Sequence, residues 1–96
     1  MDVLLHVTTP DAARIAAPLG RALTAKGASW GCFLTNDGVR AFDDKAFAAA
    51  MAGAARVAVC EHSWAQHMQG RPCPAEQASQ TLNSALMAEA KRVVSL

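Results

Sequence analysis

Near the start of the chain, Val3-Leu4-Leu5-His6-Val7 forms an almost unbroken apolar run, closed by Thr8-Thr9-Pro10. A strand that is apolar on both faces has no side to give to water, so it belongs inside a parallel sheet covered above and below. Parallel neighbours require crossover connections, and the rest of the chain supplies them. From Asp11 to Lys26, Ile15, Leu19, Ala22 and Leu23 share one helical face, Pro10 suits the first turn and Gly27 the position after the last. Pro18 and Gly20 inside this helix predict a kink or a late start.

Ser29 to Thr35 reads as a second strand, ending at the turn Asn36-Asp37-Gly38. Asp43 or Asp44 caps a helix through Ala54 that presents Phe47 and Met51 four residues apart. Arg56 to Cys60 is a third strand, and Glu61 to Gln69 a short helix ending at Gly70. After Arg71-Pro72-Cys73-Pro74 a longer helix runs to Ala90 with Leu82 and Leu86 inward, and Arg92 to Leu96 closes as a strand. Strands alternating with helices make right-handed crossovers, which lay helices on the faces of a mostly parallel α/β sheet. The expectation is a single domain over residues 1–96 with four strands, or five.

The composition narrows the function. With 9 basic and 8 acidic residues the net charge is +1, and no Lys or Arg run forms the stripe a phosphate backbone needs, so nucleic acid is not an expected partner. The N-terminus has no basic region ahead of a long apolar stretch, which predicts a cytoplasmic chain with no membrane partner. An apolar fraction of 52% exceeds what a small monomer needs and reads as subunit interface, or as an alanine-rich monomer. Trp64, an aromatic on a short amphipathic helix, reads as part of such an interface.

In open parallel sheets, reactive groups gather beyond the carboxyl ends of the strands. That rule selects the segments containing Thr9, Asp37, and Cys60 with His62 and Ser63. Cys60 carries the most chemistry. A cysteine leaving a strand into a helix N-terminus has its thiolate stabilised by free backbone amides, and a protonated His62 would help while Glu61 would oppose. Its plain alternative is a small apolar residue finishing a buried strand. Asp37 is first a turn former and second a polar group facing Cys60. Cys32, between Trp30 and Phe33, reads as a packed core thiol. Cys60, His62, His67 and Cys73 have metal-ligating atoms but no common zinc spacing, so no metal site is expected. His6, a strand histidine, must find a hydrogen-bond partner. No Walker loop, GxGxxG or GxSxG is present, and no cofactor is implied.

FLTNDGV (Phe33 to Val39) after the second strand, VAVCEHS (Val57 to Ser63) and a closing RVVSL, in this order and spacing, resemble the DsrE/DsrF-like sulfur-relay family, which includes TusD-type and YchN-like proteins. The resemblance spans nearly the whole chain. It implies a three-layer α/β/α fold, assembly into homo-oligomers, and a cysteine, matched by Cys60, that carries sulfane sulfur as a persulfide between donor and acceptor proteins. Two departures stand out. Such proteins have a further strand between the cysteine-bearing helix and the last strand, where Gly70 to Ala90 reads as a turn and one helix, and His62, Trp64 and His67 replace small residues. Cys73 has no counterpart; it is a resolving thiol, a second carrier or a bystander. The alternatives are a non-catalytic oligomeric interaction module of the same fold and a redox switch pairing Cys60 with Cys73.

Overall fold

In the computed structural model, which describes residues 1–96, the apolar run near the N-terminus is strand β1 (Val3–Val7), whose Leu4, Leu5 and Val7 are fully buried. It lies within an all-parallel sheet of five strands. The others are β2 (Trp30–Leu34), β3 (Arg56–Cys60), β4 (Glu76–Ala78) and β5 (Arg92–Ser95), in the spatial order β4-β3-β2-β1-β5. The helices are α1 (Ala13–Ala25), α2 (Lys45–Ala50), α3 (Glu61–His67) and α4 (Gln80–Glu89).

The strand order fixes the layers. From β1 to β4 each connection steps one strand in the same direction, so right-handed crossovers put α1, α2 and α3 on one face. The connection from β4 to β5 runs the opposite way across the sheet, so the same handedness puts α4 on the other face. The buried side chains follow. Leu5 and Val7 pack with Trp30, Cys32, Leu34, Val59, Ala16 and Phe47 in the larger core, while Leu4, Phe33, Ala58 and Cys60 meet Leu86 of α4 in the smaller one. The fold is thus the expected α/β sandwich of three layers, with five strands.

The fifth strand is the main departure from the sequence pattern, which predicts that the last helix begins directly after Pro74. Glu76–Ala78 instead pairs with Ala58–Cys60 as an edge strand, and α4 begins at Gln80. Helix α1 does start late, after a 3-10 turn at Pro10–Ala12, and then runs through Pro18. Pro18 is exposed, so solvent can take the Arg14 carbonyl that a proline cannot serve. Gly27, with φ of 74°, occupies the left-handed position after that helix, where only glycine is unstrained. Asp44 is the cap expected for α2, its Oδ1 accepting from the Phe47 N–H at 2.9 Å. The Asn36-Asp37-Gly38 turn is the start of a 3-10 helix over Asn36–Asp43.

Trp64 is not part of an exposed face. It is 5% exposed, edge-on to Phe42 at 6.3 Å, and its Nε1–H donates to the Arg71 carbonyl at 2.9 Å. Its bulk closes this chain's own core over α3. No helix is long and apolar enough to cross a membrane.

Candidate functional site around Cys60

Cys60 ends β3 in an extended conformation, with φ −63° and ψ 120°, and the chain turns directly into α3 at Glu61. The first amides of a helix have no partner inside it, and those of His62 and Ser63 face the Cys60 sulfur. Strand register sets what lies beside it. Leu34 pairs with Val59, and Cys60 with Ala78, so one rung beyond Leu34 the side chains of Thr35 and Cys60 are lateral neighbours on the α4 side of the sheet. Adjacent strands lie about 4.8 Å apart.

Ser63 and Gln80 complete the surround. Ser63 is buried, and its Oγ accepts from the Asn36 N–H at 2.8 Å, which leaves its own hydrogen for the sulfur. Gln80, at the start of α4, donates from Nε2 to Thr35 Oγ1 at 3.0 Å and accepts at Oε1 from Asn83 Nδ2 at 3.1 Å. Burial acts most strongly on the Cys60 thiol and raises its pKa. The Ser63 hydroxyl and N–H, the Gln80 amide and the His62 N–H together outweigh it, and the thiol sits below its ordinary value. The balance of these neighbours favours the anion of the sulfur. The residue is 6% exposed.

The other two cysteines contrast with it. Cys32 is fully buried between β-sheet and helices, and burial alone pushes its thiol far up. Cys73 is half-buried, and burial raises its pKa against a smaller opposing effect of the Ala75 N–H. It packs against the larger core, whereas Cys60 belongs to the smaller one on the opposite face. All three are free thiols.

Of the residues singled out in the sequence, the structure brings Ser63 to Cys60 but not the rest. His62 contributes its backbone N–H, while its imidazole is exposed. Asp37 and Thr9 are exposed. No three His, Cys, Asp or Glu side chains come together as a metal-binding group. His6 finds Ser95, with Nδ1 and Ser95 Oγ 3.2 Å apart, but its Nε2 is buried with no partner, as is Asn83 Oδ1. An apolar groove of about 280 Å³, lined by residues including Phe42, Met51, Val57 and Pro74, lies on the larger-core side, away from Cys60.

Gln80 and Asn83 were not visible as site residues in the sequence. Their role depends on α4 crossing back over the sheet, and glutamine and asparagine in a helix carry no motif that announces it.

No family model matches the chain, and no curated protein or solved structure matches it.

Proposed function

We propose that this chain carries sulfane sulfur as a persulfide on Cys60 and passes it to a thiol of a partner protein, within the cytoplasm and as a homo-oligomer. The observation that carries the reading is the place of Cys60 at the carboxyl end of β3, directly before α3 and near Gln80 and the buried Ser63, neighbours that lower its pKa. In the loading step the Cys60 thiolate attacks the outer sulfur of a donor persulfide. A new S–S bond forms, the donor's S–S bond breaks, and the donor leaves as a thiolate. An acceptor thiolate then attacks the outer sulfur on Cys60 and returns Cys60 to its thiolate. No net oxidant or cofactor enters, and the same donors that hold the thiolate also hold the persulfide anion. The low exposure of Cys60 keeps either form from solvent oxidants.

The resemblance of FLTNDGV, VAVCEHS and RVVSL to DsrE/DsrF-like proteins supports the same reading, and β4 supplies the strand that the sequence pattern lacked. For an oligomer, the support is Ile15, 58% exposed on α1, and Val93, 41% exposed on the edge strand β5.

Intact mass after incubation of the reduced protein with a persulfide donor tests it. The expected result is gain of one sulfur atom in wild type and Cys73→Ser, and none in Cys60→Ser. No stable gain in any form would reject the carrier and favour a non-catalytic interaction module.

A further inference from the structure

Gln80 opens α4, an element separate from the helix that follows Cys60, yet its side chain reaches back across the sheet. Its Nε2 donates to Thr35 Oγ1 at 3.0 Å, and Thr35, one residue past the end of β2, stands one rung beyond the Leu34–Val59 pair, beside Cys60. A side-chain amide nitrogen has two hydrogens in a fixed fork. One is on Thr35, and the other is free for the neighbouring sulfur.

We propose that Gln80 is a positioning residue for the Cys60 sulfur, its amide nitrogen shared between the Thr35 hydroxyl and the sulfur anion, and that Asn83 keeps this amide turned nitrogen-first. The inference rests on the reading of Cys60 as the sulfur-bearing residue and adds the device that holds its anion from the α4 side.

Asn83 is the independent observation. It is 8% exposed, one turn from Leu86 on the buried stripe of α4, and its Oδ1 is buried without a partner. An apolar side chain would fill this place without orphaning a polar atom. What the amide does there is donate from Nδ2 to Gln80 Oε1 at 3.1 Å. That bond fixes which end of the Gln80 amide points away from the rung. With the amide reversed, the Thr35 hydroxyl could still donate to its carbonyl oxygen, but that oxygen would face an anionic sulfur and no hydrogen would be left for it. A thiolate or persulfide anion at Cys60 completes this network, and a neutral thiol offers a far weaker acceptor.

The test is a pH titration of Cys60 in a Cys73→Ser background, read both by ultraviolet thiolate absorbance and by alkylation rate, with a denaturation curve for each variant. Gln80→Glu, which cannot donate when ionised and adds a negative charge, is expected to raise the midpoint by about one pH unit, a tenfold loss of thiolate at neutral pH. Asn83→Leu is expected to shift it in the same direction by less, while the denaturation midpoint holds or rises, a combination that a purely structural role for Asn83 does not give. An unmoved titration in both variants overturns the proposal, whatever happens to stability. The titration needs no sulfur donor. A shifted midpoint without sulfur gain would reject sulfur carriage and keep the positioning role, and sulfur gain with an unmoved midpoint would do the reverse.

Discussion

Gly38 shows how little slack surrounds the carboxyl edge of the sheet. A Cβ at this position would lie 2.5 Å from the Val7 carbonyl oxygen and within 2.9 Å of Thr8 backbone atoms. Backbone cannot swing aside as a side chain can, so the 3-10 segment would have to lift from β1. Gly38→Ala is expected to cost about 3 kcal/mol, the upper part of the overpacking range, read as a lower urea midpoint. His6 makes a pH prediction. Burial lowers its pKa, so on acidification the unfolded chain takes up a proton before the folded one does. Stability is therefore full above about pH 6.5 and falls as pH drops below it, down to the depressed folded value. Denaturation midpoints at pH 7.5 and 5.5 should diverge in wild type and draw together in His6→Leu; parallel behaviour would show that His6 is solvated. At this scale the sequence was legible where one strand end sufficed, as in placing Cys60 at the close of β3 and Ser63 in the helix that follows. It was not legible where a residue works through another element. Thr35 reads as the last residue before a turn, and only strand register makes it the neighbour of Cys60.

At the scale of elements, β1, β3 and the capped start of α2 followed from local pattern, because each has either a full apolar run or a capping carboxylate in place. Strand β4 did not. Three residues, Glu76-Gln77-Ala78, show no alternation and contain no β-branched or aromatic side chain. What makes them a strand is tertiary: hydrogen bonding to β3, and Arg56 on that strand holding Glu76 through two contacts at 3.0 and 3.1 Å. Both side chains are exposed, so the pair acts as a register pin and not as a large source of stability. Glu76→Lys would set like charges across neighbouring strands. Amide exchange across Glu76–Ala78 is expected to quicken several-fold while that of β1 and β2 stays unchanged; exchange that remains slow at Ala78 would mean that packing alone holds the strand.

For the molecule as a whole, the two faces of the sheet are unequal. Three helices and the 3-10 segment build a core of 17 buried residues on one side, whereas the other has 5, with Leu86 the only buried apolar residue of α4. Regions with few buried apolar contacts open at lower free energy than the rest of a fold, so α4 is the element that should lift first, and it is the one that covers Cys60. Cys60 is 6% exposed, so a donor persulfide meets its sulfur most readily when that cover moves. Alkylation of Cys60 at fixed pH should therefore accelerate in mild urea well before the cooperative loss of the larger core. Leu86→Ala should lower stability by about 2–5 kcal/mol in a fully docked helix and, because the loss falls on α4, raise the Cys60 rate by more than tenfold with the tryptophan signal of the larger core intact. If the rate instead follows global unfolding in both proteins, α4 is no gate and the sulfur is reached by another route. If it rises with α4 opening alone, the return crossover that gives this fold its third layer is also what admits a partner to Cys60.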